Sequence, residues 1–498
     1  MEWAVSAKEM KSCDSNTSSY YGIPSLVLME RAALRVVEAI GQEQLDTGRI
    51  LVVCGSGNNG GDGLAIARLL HLQGHKTAIL LAGDKKKFTP DAKVQYEICK
   101  KYQIPVISPV EFACQTYTLI IDAIFGIGLS RNISGSYADL IDQINGRPET
   151  KLAVDIPSGI STENGSVMGI AIWADLTVTF AYPKLGLLFY PGCAYAGKVI
   201  VSDIGIDENS WLGKKPQVGV LHMDDVRKQM IRRSDGNKGT FGKVLLIAGS
   251  VNMAGAAYFA AKAAYRSGCG LVRIYTAEEN RTILQSRIPE AVLSTYTGNR
   301  PDVAQLTEAL SWADVVVIGP GLGTGEAAHT LVRHTLEDAA VPVVVDADAL
   351  NIIAEDTQIL LRPHTELVLT PHMGEMARLT GDSIAYLKAN ILPAAEEFAR
   401  TYHVICVLKD ARTVTAIPYG CSYLNVTGND GMATGGSGDV LSGIIGGMIA
   451  QGIQPDRAAP SAVCLHGAAG DHAAGELGSH AVMASDIIEA VGKVLDQR

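Results

Sequence analysis

The first half of the chain alternates short apolar runs with longer stretches in which apolar residues recur every three or four positions. The short runs are rich in β-branched residues and apolar on both faces, which is typical of strands buried in a parallel sheet. Residues 63–72 and 92–101 have helical spacing, and Ser25 could cap an earlier helix that runs to about residue 44. The pattern predicts a parallel sheet covered by helices on both faces. The predicted strands are 50–54, 77–81, 118–122, 151–155, 176–181 and 198–203.

The second half repeats this alternation with new strands, and we see no residue-level repeat of the first half. A glycine-rich stretch opens a long apolar helix over 438–450. The polar segment 207–242, which contains Lys214-Lys215-Pro216, indicates a seam near residue 215. We therefore predict two α/β domains, 1–215 and 216–498. The predicted strands of the second domain are 243–248, 271–275, 314–318, 342–346, 366–369, 404–408 and 413–417.

Length and composition narrow the class of protein. A chain of 498 residues exceeds what one hydrophobic core usually organises. The net charge of −10, with no basic run beyond Lys85-Lys86-Lys87, argues against nucleic-acid binding. No apolar segment reaches the ~18–20 residues of a membrane helix, and the N-terminus does not resemble a signal peptide. Nine dispersed cysteines without a C-x-x-C pair predict reduced thiols in the cytoplasm, and they do not imply zinc.

A glycine-rich loop follows the first predicted strand, with the sequence Gly55-Ser56-Gly57-Asn58-Asn59-Gly60-Gly61-Asp62-Gly63. It matches G-x-G-x-x-G, in which glycines let backbone N–H groups approach phosphates at a helix N-terminus. A carboxylate in this loop does not suit an ordinary pyrophosphate site, however. The alternative is a tight strand-to-helix turn without a ligand.

Polar groups also end two later strands of the first domain, at Asp122 and Asp155. Ligands of open parallel sheets bind beyond the carboxyl ends of strands, so these aspartates and Asn59 are expected to converge there. Amide, carboxylate and carbonyl oxygens suit a hard cation, and a bound metal ion is therefore predicted. The alternative is that each aspartate caps its own turn.

Together, Asn58-Asn59-Gly60-Gly61-Asp62-Gly63, Asp122-Ala123-Ile124-Phe125-Gly126 and Asp155-Ile156-Pro157-Ser158-Gly159 resemble the NAD(P)H-hydrate epimerases. The resemblance implies a Rossmann-like domain that interconverts the R and S forms of hydrated NADH or NADPH at nicotinamide C6. It implies a potassium ion bound by Asn59, Asp122 and Ser158. It also implies that Asp155 binds the hydrate and acts as acid/base. The other implied hydrate contacts are Asn58, Asn59, Gly60, Gly61, Asp62, Gly126, Ile127, Gly128, Leu129, Ser130, Arg131 and Asn132.

The second domain has no G-x-x-x-x-G-K-[ST] loop, which excludes a P-loop nucleotidase. Instead, five glycines within residues 431–438 precede the long apolar helix. Consecutive N–H groups of Gly436, Ser437 and Gly438 form an anion cradle at the helix N-terminus. Asp439 follows in the first turn, where it is placed to deprotonate a hydroxyl for phosphoryl transfer. The alternative is an ordinary helix cap after a flexible loop.

The glycine-rich stretch resembles the ribokinase-like superfamily and, within it, the NAD(P)H-hydrate dehydratases. Asp430 and Ser437 depart from the common form, in which proline and threonine are frequent at these positions. Four further motifs support the resemblance: Gly319-Pro320-Gly321-Leu322-Gly323, Val345-Asp346-Ala347-Asp348-Ala349-Leu350, Leu369-Thr370-Pro371-His372-Met373-Gly374-Glu375 and Leu408-Lys409-Asp410-Ala411-Arg412-Thr413.

The resemblance implies an α/β/α domain that dehydrates the S hydrate with ADP and Mg2+, releasing AMP and phosphate. Phosphorylation turns the C6 oxygen into a good leaving group. Asp439 is the implied base, and Ala256, Gly323 and His372 are implied to touch the hydrate. The implied nucleotide-binding residues are Lys409, Asp410, Ala411, Arg412, Thr413, Gly436, Ser437 and Gly438.

Three other residues of the second domain remain open at this point. Glu375 either organises a magnesium–phosphate network or is a surface helix charge. His466 and Asp471 are expected to be packing or capping residues.

Two other enzyme classes remain open. One is a ribokinase-type kinase for a small molecule, with a regulatory N-terminal domain; it would transfer phosphate to a stable product. The other is a classical dehydrogenase, for which Asp84 lies at about the right distance to bind a ribose, although Gly83-Asp84-Lys85 has the composition of a loop. All three classes take small-molecule substrates. Ribokinase-like domains often associate, so we expect a homo-oligomer.

Overall fold

The computed structural model describes residues 1–362 and 364–496. The described chain forms two compact units. The N-terminal unit is Trp3–Gln217, and the C-terminal unit holds Met1–Glu2 and the described residues from Val218 onward. The division lies two residues beyond the seam expected at 215. Among the described helices, none is both long and apolar enough to cross a membrane.

The N-terminal unit alternates strands and helices as predicted. Two 3-10 turns, Lys85–Lys87 and Glu208–Trp211, supplement its regular elements. Strand β1 (Glu2–Ala4) begins in the residues assigned to the C-terminal unit and ends in the N-terminal unit. The elements that lie wholly in the N-terminal unit are α1 (Ala7–Ser19), α2 (Ser25–Gln42), β2 (Ile50–Cys54), α3 (Asn58–Leu72), β3 (Thr77–Leu81), α4 (Pro90–Lys101), β4 (Val106–Ile107), α5 (Pro109–Cys114), β5 (Leu119–Ala123), α6 (Ser136–Asn145), β6 (Thr150–Val154), β7 (Leu176–Phe180), α7 (Leu185–Leu188), α8 (Gly192–Tyr195) and β8 (Lys198–Ser202).

Seven strands form a parallel sheet in the order β4-β3-β2-β5-β6-β7-β8. Successive side chains of a strand point to opposite faces, and the central strand β2 shows this directly. Ile50, Val52 and Cys54 are buried in one core with residues of α2 and α3. Leu51 and Val53 are buried in a second core with residues of α5 and α6. The predicted parallel sheet with two covered faces is confirmed.

Helix α3 begins at Asn58, five residues before the predicted start at 63. Gly57 is its N-cap in an extended conformation. A Cβ atom on Gly60 would clash with the backbone of Gly55, so the first turn of the helix packs directly against the end of β2. The glycines therefore allow a close backbone approach, and Asn58 and Asn59 lie in a helical turn instead of a loop.

The C-terminal unit contains four further 3-10 turns, at Glu278–Asn280, Thr357–Leu361, Asp430–Met432 and Ser479–Ala481. Its regular elements are β9 (Val218–Val220), α9 (Met223–Gln229), β10 (Lys243–Ile247), α10 (Ala254–Arg266), β11 (Leu271–Ala277), α11 (Arg281–Arg287), β12 (Val292–Tyr296), α12 (Val303–Trp312), β13 (Val315–Ile318), α13 (Glu326–Asp338), β14 (Val343–Val345), α14 (Asp348–Ile353), β15 (Leu367–Leu369), α15 (Met373–Thr380), α16 (Ile384–Ala389), α17 (Ile391–Tyr402), β16 (Ile405–Leu408), β17 (Val414–Ala416), β18 (Ser422–Leu424), α18 (Ser437–Ala450), α19 (Pro455–Leu477) and α20 (Ala484–Asp496).

The sheet of this unit is mixed. Strands β12-β11-β10-β13-β14-β15-β16 are parallel neighbours in that order. Strands β17 and β18 then continue the sheet with antiparallel pairing, and β9 lies parallel to β18. Residues 409–413, which the sequence assigns to nucleotide binding, form the connection between β16 and β17. Because β16 and β17 are antiparallel, this connection can be a short hairpin without a crossover helix.

Helix α18 packs closely on α10, and this contact fixes the glycine-rich turn. A Cβ atom on Gly443 would clash with the backbone of Ala260, so the two helices approach more closely than side chains would allow. Gly436 precedes the helix at φ +91°, a left-handed conformation that glycine adopts without strain. The anion cradle predicted at Gly436–Gly438 is therefore the N-terminus of a buried helix.

Candidate active sites

The N-terminal unit has a cleft of about 590 Å³ beyond the carboxyl ends of its strands. Ten of the residues that the sequence assigns to hydrate binding line the cleft: Asn58, Asn59, Asp62, Gly126, Ile127, Gly128, Leu129, Ser130, Arg131 and Asp155. The other three do not line it: Gly60 and Gly61 are buried inside helix α3, and Asn132 is exposed just past residues 126–131.

Asp155 follows the last residue of β6 and has φ +67°, a conformation that is uncommon outside glycine. Its backbone N–H donates to the Val178 carbonyl at 2.8 Å, which holds this turn against β7. The Oδ1 atom lies 2.6 Å from Nζ of Lys184 and accepts a hydrogen bond from the Thr179 hydroxyl at 3.2 Å. Strained backbone of this kind clusters at functional sites, where it aims a side chain.

Lys184 also lines the cleft, and the sequence did not single it out. Its side chain is only 1% exposed, and its ammonium also donates to Thr179 Oγ1 at 2.9 Å and to the Phe180 carbonyl at 2.7 Å. A lysine is almost never buried unless it is paired, so the burial of Lys184 depends on its ion pair with Asp155. In the sequence, this residue is visible as a single lysine directly before the apolar run 185–188.

Two more carboxyl groups line the cleft near Asp155. Burial raises the pKa of Asp62 well above its usual range, and the nearby Asp155 and Asp14 carboxylates raise it further. Partial burial and Asp155 also raise the pKa of Asp14. The cleft thus places a carboxyl group that favours its protonated form beside an ion-paired carboxylate, an arrangement suited to acid/base chemistry.

Asp122 and Ser158 lie beneath the cleft and are buried. The Ser158 backbone N–H and hydroxyl donate to the Asp122 carboxylate at 2.7 and 2.6 Å, and the Phe125 N–H donates to Ser158 Oγ at 2.8 Å. Burial raises the pKa of Asp122 to about 6, although the hydrogen bonds from Ser158 and Ile124 oppose the rise. The structure therefore brings two of the three predicted cation ligands into direct contact.

Asn59, the third predicted ligand, packs against the same turn. A Cβ atom on Gly126 would lie only 3.3 Å from Asn59 Oδ1, so glycine at this position eases a close approach to the amide. The buried Nδ2 atom of Asn59 has no hydrogen-bond partner within the residues that the structure describes. Amide, hydroxyl, carboxylate and carbonyl oxygens thus surround the turn at 124–126.

In the C-terminal unit, Asp439 lies in the first turn of α18, behind the cradle of Gly436–Gly438. Burial and, to a lesser extent, the Asp346 carboxylate raise the pKa of Asp439 to about 7, although the charge of Lys409 opposes the rise. A carboxyl group that titrates near neutral pH, beside a helix N-terminus that attracts anions, has the properties of a general base for phosphoryl transfer.

The ammonium group of Lys409 lies next to this cradle. Its Nζ atom lies 2.8 Å from Asp346 Oδ1, and a Cβ atom on Gly438 would lie 3.4 Å from Nζ. The Ser442 hydroxyl donates to the other Asp346 oxygen. Burial alone would raise the pKa of Asp346, but the charge of Lys409 and these hydrogen bonds outweigh it and hold the pKa below its usual value. Lys409 was expected from the sequence, whereas the roles of Asp346 and Ser442 were missed.

His372 is the N-cap of helix α15. Its Nδ1 atom accepts hydrogen bonds from the backbone N–H groups of Gly374 at 2.9 Å and Glu375 at 3.3 Å. Glu375 in turn accepts from the His372 N–H at 2.7 Å, which completes a capping box. Partial burial and the nearby Lys409 and Arg378 lower the pKa of His372, and the neutral ring is the form that can accept at Nδ1. His372 therefore has a structural role, and 54% of its side chain remains exposed.

Three further predicted residues of this unit lie in the loops and helix described next. The Gly323 N–H donates at 2.7 Å to Asp348, a carboxylate that also acts on the pKa of Asp439. The loop that contains Gly323 packs on the start of α10, where Ala256 lies. In the 409–413 hairpin, Arg412 donates to the Val426 carbonyl at 2.7 Å.

Asp471 and His466, expected to be capping or packing residues, anchor the glycine-rich segment. The Asp471 carboxylate accepts from the Gly428 N–H at 2.8 Å and from Asn429 Nδ2 at 2.9 Å. His466 Nε2 lies 3.3 Å from the Ser437 hydroxyl, and burial lowers the pKa of His466 to about 4. A neutral His466 can accept the Ser437 hydroxyl hydrogen in a buried contact, so polar contacts hold both ends of the segment.

Comparison with known proteins accounts for both units. A family model described as NAD(P)H-hydrate dehydratase matches residues 244–493, and one described as YjeF-related protein N-terminus matches residues 25–186. The bifunctional NAD(P)H-hydrate repair enzyme Nnr of Moorella thermoacetica is 42% identical, over 99% of this chain and 96% of its own. The Escherichia coli K12 protein of the same name is 34% identical, over 98% of this chain and 93% of its own.

Among solved structures, a ribokinase-like superfamily protein from Enterococcus faecalis V583 matches with a TM-score of 0.51 and 30% identity. The match covers 56% of this chain and 95% of that protein. The predicted two-domain α/β fold, with a ribokinase-like second domain, is confirmed. The full-length matches likewise confirm the resemblance read from the motifs. The chain belongs to the family of bifunctional NAD(P)H-hydrate repair enzymes.

Proposed function

We propose that this chain repairs hydrated NADH and NADPH in two steps. Residues 1–215 interconvert the R and S hydrates, and residues 216–498 dehydrate the S hydrate with ADP. The observation that carries the proposal is Asp439, a carboxyl group with a pKa of about 7 at a helix N-terminus, next to the partly buried ammonium of Lys409. This arrangement combines a base with an anion site, as the transfer of a phosphoryl group to a hydroxyl requires.

In the epimerase site, the reaction inverts the configuration of C6, the carbon that bears the hydroxyl group and is bonded to the ring nitrogen N1. Asp155 accepts the hydroxyl proton as the C6–N1 bond breaks, and protonated Asp62 donates a proton to N1. Rotation of the resulting aldehyde and closure on its other face return both protons. The ion pair with Lys184 and the raised pKa of Asp62 support these opposite roles.

In the dehydratase site, Asp439 takes the C6 hydroxyl proton while the oxygen attacks the terminal phosphate of ADP and AMP leaves. The N1 lone pair then expels phosphate from C6, and loss of a C5 proton restores the double bond. Gly436, Ser437 and Gly438 hold the transferred phosphate with backbone N–H groups, and Lys409 adds charge. Asp410, Ala411, Arg412 and Thr413 contact the nucleotide, and Ala256, Gly323 and His372 contact the hydrate.

Two cations belong to the proposal. Mg2+ accompanies ADP, because this ion is usually bound through substrate phosphates with few protein ligands. Potassium is held in the N-terminal unit by Asn59, Asp122 and Ser158. The residues fit it: a buried carboxylate lacks full charge compensation, and oxygens surround the 124–126 turn. The ion would offset the charge of Asp122 and order the turn that carries residues 126–131 into the cleft.

The remaining expectations concern the setting of the enzyme. None of the nine cysteines, all of them among the described residues, forms a disulfide, which supports a reducing compartment such as the cytoplasm. Self-association rests on the ribokinase-like fold and is tested by the mass of the protein in solution. Small nucleotides are the only partners that the two sites require.

The function is tested by incubating the purified protein and Mg2+ with mixed R and S hydrates and either ADP or ATP. We expect the absorbance of reduced nicotinamide to return from both epimers, with one inorganic phosphate released for each molecule repaired. A stable phosphorylated product without phosphate release would show that the chain is a kinase. Recovery of only the S hydrate would remove the epimerase from the proposal.

The dehydration rate should depend on pH through Asp439. A base must be deprotonated to act, so kcat/KM for the S hydrate is expected to rise with pH up to about 7 and then level off. A pH profile with saturating ADP measures this. The Asp439→Glu variant serves as the comparison. The apparent pKa of its dehydration profile should shift, whereas the rate of epimerisation in the same samples should not change. A flat profile across this range would rule out Asp439 as the base.

A further inference from the structure

A second concavity of about 700 Å³ lies next to the cleft of the N-terminal unit. It is bounded by helix α1 and by residues 161–163, and we call it the α1 groove. Lys11 and residues 127–130 line both the α1 groove and the cleft. The loop proposed to hold the hydrate is therefore shared between two spaces, each large enough for a nucleotide-sized group.

The α1 groove carries two lysines on one face of α1. Lys8 and Lys11 are three residues apart, so their side chains point the same way from the helix. Their ammonium groups form no hydrogen bond or ion pair with the part of the chain that the structure describes. Ser12 and Ser15 add hydroxyl groups. Glu163 also lines the groove, but its Oε1 atom already accepts the Ala7 N–H at 3.1 Å.

The cleft is more acidic than the α1 groove. Four aspartates line it, Asp14, Asp62, Asp91 and Asp155, against Lys11, Arg131 and a buried lysine that is already paired with Asp155. A dinucleotide hydrate has a neutral reacting ring at one end and phosphates toward the other. Phosphates gain little in the cleft, where acidic groups outnumber the unpaired cations, whereas phosphates beside the two ammonium groups of the α1 groove are stabilised. The charges of the two spaces thus match the two ends of the proposed substrate.

We propose that the α1 groove binds the adenosine half of the dinucleotide hydrate, and that Lys8 and Lys11 contact its phosphate groups. The ring then enters the cleft toward Asp155, and the chain of the substrate crosses residues 127–130. This inference rests on the proposed epimerase function. Lys8 and Lys11 are substrate-positioning residues and take no part in the proton transfers.

The test is the double variant Lys8→Ala/Lys11→Ala of the full chain, compared with Lys86→Ala/Lys87→Ala. The control pair removes the same charge from exposed positions of the same unit. Epimerisation is measured with NADPH hydrate, NADH hydrate and the hydrate of reduced nicotinamide mononucleotide, which lacks the adenosine half. We expect KM to rise about tenfold for the dinucleotide hydrates, with kcat unchanged and no change for the mononucleotide hydrate.

The phosphate involved is identified by the two dinucleotides. A larger effect on NADPH hydrate assigns the lysines to the 2′-phosphate, and an equal effect assigns them to the adenosine-side phosphate of the pyrophosphate; both support the groove. An unchanged KM for both dinucleotide hydrates, or an equal rise for the mononucleotide hydrate, would overturn it.

A binding experiment separates this inference from the proposed function. If the parent chain epimerises no hydrate, the epimerase assignment fails, but NADP+ can still be titrated into all three proteins. Binding about tenfold weaker in the Lys8/Lys11 variant alone would support the groove as a phosphate site. Equal binding by all three proteins would overturn it.

Discussion

Replacing Asp439 with asparagine is expected to reduce ADP-dependent dehydration about a thousandfold, while epimerisation keeps the parent rate. Asparagine fills the same space but cannot accept the hydroxyl proton. The anion cradle of Gly436–Gly438 and the ammonium of Lys409 stay in place, so ADP should still bind. Initial rates of reduced-nicotinamide formation from the pure S hydrate measure the loss, and chromatography of the two epimers measures the retained activity.

A matched control lies in the same segment. Asp430 is exposed, eight residues of chain separate it from Asp439, and Asp430→Asn makes the same chemical change. We expect this control to dehydrate at the parent rate. If Asp439→Asn kept more than about a tenth of the parent rate, the base would have to be another group. Loss of both activities in a folded Asp439→Asn protein would contradict the assignment of two independent sites.

The second large effect is expected at Asp155, where asparagine should slow epimerisation about a hundredfold or more and leave dehydration of the S hydrate unchanged. The single change also leaves Lys184 buried without its carboxylate. Breaking a buried pair in this way costs about 3–5 kcal/mol in the free energy of unfolding. Epimerisation must therefore be compared at a temperature where the variant is folded, with dehydration by the same sample as the internal standard.

The double variant Asp155→Asn/Lys184→Met separates catalysis from stability. It removes both charges, so most of the free energy of unfolding lost in the single variant should return, because buried ion pairs often tolerate replacement by neutral residues. Epimerisation should stay as low as in the single variant, because the proton acceptor is still missing. A double variant that regained epimerisation together with stability would show that Asp155 acts only through folding.

The strands of both sheets could be predicted from sequence because buried parallel strands read as continuous apolar runs. Every predicted strand agrees with the structure within two residues. The missed strands are short or edge strands. Val106–Ile107 has two residues, and Val292–Tyr296 lies at the edge of its sheet with several partly exposed side chains. Little of their burial pattern is visible in sequence.

The start of helix α3 shows a different limit. Glycines are normally weak helix formers, so residues 55–63 were predicted to be a loop. In the structure, Gly60 is helical because its missing side chain lets the helix pack on the backbone of Gly55. A tertiary contact, which local propensity does not contain, decides where the helix begins.

Some residues of the candidate sites could be predicted from the sequence, and others could not. Motif residues at strand and helix ends, such as Asp155 and Asp439, could be named from sequence because their chemistry and position are local. Lys184, Asp346 and Ser442 could not, because each acts through a partner far away along the chain. Their roles depend on which side chains the folded sheets bring together.

The central claim is that one chain carries two separate sites that act in sequence on one substrate. Mixing equal amounts of Asp155→Asn and Asp439→Asn proteins with the R hydrate, ADP and Mg2+ tests it most directly. Neither variant alone should convert the R hydrate to reduced dinucleotide at more than a background rate. The mixture should convert it fully, since the epimer released by one protein is dehydrated by the other. If the mixture converts no more than the two variants measured separately, the claim is contradicted.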